Sequence, residues 1–208
     1  MVNRVKPKTV FDCVAYGAYS FEKNVELIYE TNFISTVKLV ELLSEGSIAA
    51  YVHAGSSSEY GSNSAGPLED AICEPNSHYA VSKVSCDQYL KFVGKTKNFP
   101  CVNLRLYSVY GPLEDTSRLM PTMVRAALNG TLPPLVNPNI SRDFVFVDDV
   151  CAAFVMAAAK MNPDMFGESI NIGSGKKTTI SDLVETAQHV FGFTAKPEYN
   201  SMEARAWD

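Results

Sequence analysis

Tyr79 and Lys83, set as Tyr79-Ala80-Val81-Ser82-Lys83, carry the most chemical content of any spacing in this chain. On a helix, residues i and i+4 share a face, so the phenol and the ammonium lie one turn apart. A free phenol ionises at about pH 10. A neighbouring cation favours the phenolate and lowers that value. Pro75-Asn76-Ser77 reads as a helix start with Ser77 as N-cap. Tyr79 then falls in the first turn, where the helix dipole also favours negative charge. Such a pair can move a proton to or from a hydroxyl near neutral pH. The plain alternative is an amphipathic surface helix, which Tyr-x-x-x-Lys alone does not exclude.

The elements around the pair decide between these readings. Ile48-Ala49-Ala50-Tyr51-Val52-His53-Ala54 is an apolar run and predicts a buried strand at 48–54. It leads into Gly55-Ser56-Ser57-Ser58-Glu59-Tyr60-Gly61. A strand ending in small hydroxyl residues delivers them to the carboxyl edge of a parallel sheet, where open α/β sheets bind ligands. Periodicity and breakers predict further strands near 9–15 and 101–107, with a short extended piece at 144–147. Helices are predicted at 24–44 (closed by Gly46), 77–95, 117–129, from Asp148 as cap to about Met161, and at 180–191 between Thr179 or Ser181 and Gly192. Residues 61–77 are rich in Gly, Ser and Pro and read as a loop over an active site.

In this order the motifs resemble the extended short-chain dehydrogenase/reductase family, in its nucleotide-sugar epimerase/dehydratase branch. Phe11 to Asn32 resembles the strand and cofactor-lining loop before the family's first dimer helix. Ser56, five before Gly61, matches the catalytic Ser/Thr, and Tyr79 and Lys83 match the catalytic pair. Leu104-Arg105-Leu106-Tyr107-Ser108-Val109-Tyr110-Gly111-Pro112 resembles the strand and Tyr-Gly-Pro turn. Arg142-Asp143-Phe144-Val145-Phe146-Val147-Asp148 resembles the Arg-Asp segment, and Asn171-Ile172-Gly173 the late Asn-Ile-Gly.

The resemblance implies an α/β fold: a partial doubly wound, Rossmann-like parallel sheet with a small C-terminal substrate-binding region. Residues 1–112 would be the remainder of the dinucleotide-binding domain, with the catalytic Ser, Tyr and Lys. Residues 113–208 would be mainly substrate-binding, with helices returning to the core. The implied activity is NAD(P)-dependent epimerisation or ketone reduction of a nucleotide-diphosphate sugar through a keto-sugar. The cofactor would be NAD, with NADP possible. Tyr79 would take the proton of a sugar hydroxyl. Lys83 would lower its pKa and hydrogen-bond the nicotinamide ribose, and Ser56 would donate to the sugar oxygen. Gly17, Ala18, Tyr19, Asn32 and Tyr107 match cofactor-lining positions, alongside Tyr79 and Lys83. Ser57, Ser108, Arg118, Leu119 and Arg142 are substrate-lining candidates. Arg142 suits a diphosphate because a guanidinium grips phosphate bidentately; an ion pair with Asp143 or another carboxylate is its plain alternative. The helices at 24–44 and 77–95 resemble the pair that builds a homodimer, with Phe33, Val37, Tyr89 and Phe92 as contacts or as core.

Two departures narrow this reading. The family's 4,6-dehydratases carry Asp-Glu, or at least Glu, after the catalytic hydroxyl. Ser57 and Ser58 stand there, and Glu59 comes one place late, pointing to the other side if the segment is extended. An epimerase or reductase is therefore expected over a dehydratase. The second departure is the family's opening strand and Gly-x-x-Gly-x-x-Gly turn, which do not appear. About 60 residues, two strand–helix units, are expected to be missing before Thr9. The strand at 9–15 would then be a sheet edge prone to association, and the isolated chain is expected to be inactive, an association module at most. Arg205-Ala206-Trp207-Asp208 reads as the lead into a further helix.

Composition agrees with a soluble, cytoplasmic α/β protein. The net charge is −5 with no Lys/Arg cluster, which argues against nucleic acid. No apolar run reaches the roughly 18 residues of a membrane helix, and Met1 leads into no signal-like segment. The five cysteines are scattered without Cys-x-x-Cys, and Cys13, Cys101 and Cys151 read as small core hydrophobes. The three histidines lack metal-ligand spacing, so no metal is expected. Gly173-Ser174-Gly175-Lys176 only faintly resembles a phosphate loop: Ile170 stands where the first glycine belongs. A turn after a strand is the better reading.

Overall fold

Hydrophobic runs separated by Gly, Pro and Asn generate alternating strands and helices. The computed structural model describes residues 2–19 and 21–202; Ser20 and the segment Arg205-Ala206-Trp207-Asp208 lie outside the described residues. In chain order the elements are α1 (Val2–Val5), β1 (Thr9–Asp12), α2 (Val25–Tyr29), a π-helical turn (Glu30–Ile34), α3 (Ser35–Ser44), β2 (Ala50–Ser56), a 3-10 turn (Ser57–Tyr60), α4 (His78–Lys97) and β3 (Cys101–Leu106). There follow β4 (Ser108–Tyr110), α5 (Leu119–Leu128), β5 (Ser141–Arg142), β6 (Phe144–Phe146), α6 (Val147–Ala159), a 3-10 turn (Pro163–Met165), β7 (Glu168–Ile172), β8 (Thr178–Thr179) and α7 (Ile180–Phe191). They divide into two compact units: Met1–Leu106 with Val150–Ile172, and Tyr107–Asp149 with Gly173–Asp208.

The first unit is built on a wholly parallel sheet in the order β1-β2-β3-β7. Parallel neighbours need crossovers, which α2, α3 and α4 supply. β2 and β3 are central and almost fully buried, which is why they read as continuous apolar runs. Tyr51, Cys101, Leu90, Val93, Val40, Leu43 and Phe99 form one core cluster between sheet and helices. β1 pairs with β2 alone among the described residues, and it is shorter than the expected 9–15.

The second unit is smaller and differently built. β4 and β6 pair in parallel, and β5 and β8 pair antiparallel over two residues. Its core packs Met123 and Ala127 of α5 against Ile180, Leu183, Val184 and Ala187 of α7, with Leu135 between them. α7 begins as the sequence predicts: Thr179 and Asp182 exchange the two bonds of a capping box, and Gly192 ends it in the left-handed region at φ 67°.

Several local expectations change. The 24–44 helix is one continuous run interrupted by the π turn, which no periodicity signals. Ser57–Tyr60 is a 3-10 turn rather than extended chain. Asp148 lies inside the first turn of α6, beside Asp149, and not at the cap. α5 starts at Leu119, with Arg118 in the N-cap place. Cys101 is buried as expected, but Cys13 and Cys151 are exposed. Cys13 follows β1 at the edge of the sheet, and Cys151 sits on the outward side of α6, so an apolar neighbourhood in sequence did not become an interior position.

Candidate active site

Ser56, Tyr79 and Lys83, the residues expected to transfer a proton, belong to the first unit, where α4 crosses the carboxyl end of β2. Ser77 caps α4 by accepting the Ala80 N–H at 3.1 Å, and Tyr79 follows within the first turn. Tyr79 is half-buried, whereas Lys83 is 1% exposed. The Lys83 ammonium lies 5.9 Å from the centre of the Tyr79 ring, as the i,i+4 spacing requires. Lys83 Nζ also donates to the Ala54 carbonyl at 2.8 Å, two residues before Ser56. That bond ties the helix to the strand and uses one of the three ammonium donors. Burial pushes the Lys83 pKa down, against the opposing pull of Cys86, Asp12 and Glu59.

Ser56 ends β2 and caps the 3-10 turn. Its Oγ accepts the Ser58 N–H at 3.1 Å, and its own N–H donates to Glu59 Oε1 at 2.9 Å. Oγ serves here as an acceptor, and a serine hydroxyl carries one donor proton besides. Ser57 is half-buried in the same turn and Ser58 is exposed.

Beneath this turn lies an ion cluster that the sequence reading did not assemble. Glu59 is fully buried, with Oε2 accepting from Arg105 Nε at 2.7 Å and from Asn103 Nδ2 at 3.2 Å. Arg105 also donates to Asp87 Oδ2 at 3.1 Å, to the Tyr60 hydroxyl at 2.8 Å and to the Glu69 carbonyl at 2.9 Å. Asp87 further accepts from Asn103 at 2.9 Å and from Ser169. Burial, reinforced by the charge of Asp87, raises the Glu59 pKa to about 7 even though Arg105 and the Ser56 amide oppose it. The signal was present in part. Asn103 and Arg105 alternate with Val102, Leu104 and Leu106, which puts both on one face of β3. Tyr79, Lys83 and Asp87 recur every four residues on α4.

The expected cofactor-lining residues fare unevenly. Gly17, at φ 93°, and Tyr19 turn their amides onto Glu22 Oε2 at 2.9 and 3.1 Å. Tyr19 stacks on Phe21 at 5.2 Å, and Ala18 is half-buried between Gly17 and Tyr19. Asn32 is fully buried, and its amide is committed internally: Oδ1 accepts from Tyr16 N at 2.8 Å, while Nδ2 donates to the Tyr16 carbonyl and to Ser82 Oγ, each at 2.8 Å. Asn32 thus fixes the 16–19 loop against α4 instead of presenting its amide to a ligand. The π turn makes this possible by rotating Asn32 inward, a common use of such turns near functional sites.

The remaining candidates belong to the second unit. Tyr107 precedes β4, and the Ser108 N–H donates to the Asp143 carbonyl at 2.9 Å. Arg118 Nε meets Glu114 Oε1 at 3.3 Å, and Leu119 begins α5. Arg142 lies in β5, half-buried, with a bond from Nη1 to the Ser141 carbonyl at 3.1 Å. The Asp143 carboxylate takes the Ser174 N–H, the Ser174 hydroxyl and the Gly175 N–H at 2.6–2.8 Å. The amides that faintly resembled a phosphate loop are therefore already filled, consistent with a plain turn.

A wholly parallel sheet with crossover helices, and loops at the carboxyl ends of its strands, defines a class, that of nucleotide-binding Rossmann-like folds. The sequence model described as the NAD dependent epimerase/dehydratase family matches residues 1–173, and the chain belongs to that family. It is 29% identical over 204 residues to a UDP-glucose 4-epimerase of Mycolicibacterium smegmatis, covering 94% of this chain and 64% of that protein. Protein CapI of Staphylococcus aureus is 26% identical, over 95% of this chain and 65% of its own length. A dTDP-glucose 4,6-dehydratase from Bacillus anthracis, solved in complex with NAD, superposes with a TM-score of 0.83 at 28% identity, covering 98% of this chain and 63% of that one. A UDP-glucuronic acid 4-epimerase from Bacillus cereus, also with NAD, gives 0.81 at 26% identity, covering 92% and 62%. The chain thus spans less than two thirds of the length of these relatives. Among the described residues no helix is long and apolar enough to cross a membrane, and no cluster of His, Cys, Asp and Glu could hold a metal ion.

Proposed function

We propose that Ser56, Tyr79 and Lys83 form the proton-transfer site of an NAD-dependent enzyme acting on a nucleotide-diphosphate sugar, as a 4-epimerase or a ketoreductase. The observation that carries this reading is the Lys83 tether: one buried ammonium reaches both the Tyr79 ring and the carbonyl two residues before Ser56. A bound nicotinamide would supply the hydride acceptor and donor. The residues fit its ribose end, since an ammonium has three donors and the bond from Lys83 to the Ala54 carbonyl takes one of them beside Tyr79. Tyr79 Oη takes the proton from a sugar hydroxyl, the Lys83 charge favours the phenolate, and Ser56 Oγ–H donates to the sugar oxygen and holds it in line. NAD and UDP- or dTDP-sugars are the expected ligands because the relatives carry them in name.

Loss of water across two carbons is disfavoured. Ser57 and Ser58 occupy the places after Ser56, and the carboxylate that follows them, Glu59, is bound to Arg105 and the Ser56 amide. Arg142 is proposed as a diphosphate ligand. The outer faces of α2, α3 and α4 are proposed as a homodimer surface, with Phe92 50% exposed and Tyr89 packed on Phe33.

The test is titration of the chain with NAD, then with UDP-glucose, followed by turnover assays of Tyr79→Phe and Ser56→Ala. Saturable micromolar binding and a fall in kcat of roughly 10²–10⁴ for Tyr79→Phe support the reading. Absence of binding to either ligand favours instead a non-catalytic association module.

A further inference from the structure

We propose that Glu59 is a positioning residue for Ser56: its buried carboxylate, clamped by Arg105, holds the Ser56 backbone and so fixes the direction in which the serine hydroxyl donates. This rests on the reading of Ser56 as the hydroxyl donor of the site.

Three observations converge on it. Glu59 Oε1 accepts the Ser56 N–H at 2.9 Å, closing the capping box whose other half is the bond from Ser58 N–H to Ser56 Oγ. The same carboxylate lies directly over Gly55. A Cβ built there would come within 2.7 Å of Glu59 Oε1 and 2.4 Å of Asn103 Oδ1, so the approach requires a residue without a side chain. Finally, Glu59 cannot wander. Arg105 holds Oε2 at 2.7 Å from β3 and is itself anchored on Asp87 of α4 at 3.1 Å, and Asn103 donates to both carboxylate oxygens at 3.3 and 3.2 Å.

The 54–56 segment is therefore held from two directions by buried ionisable side chains. Lys83, 1% exposed, holds the strand at Ala54, and Glu59, fully buried, holds it at Ser56. A hydroxyl that must donate along one line to a substrate oxygen gains from such a mount. Hydrogen bonds to ionised groups are short and directional, and the low dielectric around them strengthens the hold. Arg105 extends the same mount to the loop at 61–77 through the Glu69 carbonyl and the Tyr60 hydroxyl, which in turn donates to Asn171 at 2.8 Å.

Amide hydrogen exchange on the whole chain, with Glu59→Ala, Glu59→Asp and Glu59→Gln beside the parent, tests the proposal. In Glu59→Ala the Ser56 amide should exchange about 10- to 100-fold faster, the loss of one charge-assisted bond, while Tyr51–His53 amides stay protected. Glu59→Asp should retract the oxygen from Ser56 but keep charge for Arg105, giving the same local signature if the alanine variant does not fold. Glu59→Gln keeps an acceptor oxygen and should restore Ser56 protection to within about threefold of the parent. With NAD and UDP-glucose supplied, Glu59→Asp should lower kcat at unchanged KM, and Glu59→Gln should recover most of it. Unchanged Ser56 exchange in both Glu59→Ala and Glu59→Asp overturns the proposal. So does a rise shared in step by all β2 and β3 amides, which marks a merely structural role. If Ser56→Ala leaves kcat untouched, the catalytic reading of Ser56 fails, while the exchange result still judges Glu59.

Discussion

Asp12, at the end of β1, and Glu59, one turn beyond β2, are both buried acids in the same unit, yet they titrate in opposite directions. Burial acts to raise both. For Asp12 it is outweighed. His53 Nδ1, Tyr51 Oη and the Val14 N–H all donate to the carboxylate, and its pKa falls to about 2. His53 is itself pushed down by burial; its Nδ1–H satisfies Asp12, and among the described residues its buried Nε2 has no partner. For Glu59 burial prevails, because Asp87 shares the same guanidinium and opposes a second negative charge. Three donors gathered around one acid, with His53 adding an electrostatic attraction, stabilise its charge more effectively here than a cation divided between two acids. The first arrangement is a structural brace between β1 and β2. The second lies directly under the proposed hydroxyl donor.

Breaking the shared cation should have the largest effect. Arg105→Ala leaves Glu59 and Asp87 buried without their counter-charge and should cost about 3–5 kcal/mol in urea unfolding. A loss below about 1 kcal/mol would mean that the cluster contributes little to the fold. Next comes pH. With a folded pKa of about 7 against an ordinary 4.5, Glu59 contributes stability that is full below about pH 4.5 and lost as pH rises through about 7. The amplitude is on the order of 3 kcal/mol. Subtracting the unfolding free energies of Glu59→Gln from those of the parent across this window should isolate that slope; a flat difference would refute it. Asp12 has the opposite sign. Its contribution is present above about pH 4 and lost as pH falls through about 2, with an amplitude on the order of 2 kcal/mol that Asp12→Asn should abolish in acid titrations. The smallest effect is expected of Tyr51→Phe, which removes one donor to Asp12 for about 1 kcal/mol and should shift acid unfolding to higher pH. If Tyr51→Phe leaves stability and the acid transition unchanged, the brace depends on the ring packed against Phe99, which the substitution keeps, rather than on the hydroxyl bond to Asp12.

Much of the local structure around the candidate site was legible in the sequence. The Tyr79–Lys83 spacing, the Ser77 cap and the strand ending in serines are local patterns, and local patterns survive folding because backbone geometry alone imposes them. The capping box at Thr179 and the stop at Gly192 belong to the same kind. Asn32 was less legible. Its alignment with a cofactor-lining position says nothing of the π turn in which it lies buried, bonded to Ser82 and Cys86 of α4. Cys13 and Cys151 show the converse error, since an apolar run in sequence does not say which way each residue faces.

The sequence by itself determined the parallel α/β character of the first unit, the run from β1 through β3 with its intervening helices though not α1 or β7, and the residue types able to move a proton. Those depend on periodicity, caps and spacing within about ten residues. Only the tertiary structure decided that Glu59, Asp87, Asn103 and Arg105 meet, because they come from three elements up to 46 positions apart. No local rule brings such charges together. They meet because parallel strands and a crossover helix converge where water is excluded, and a charge buried there must find its partner from another part of the chain.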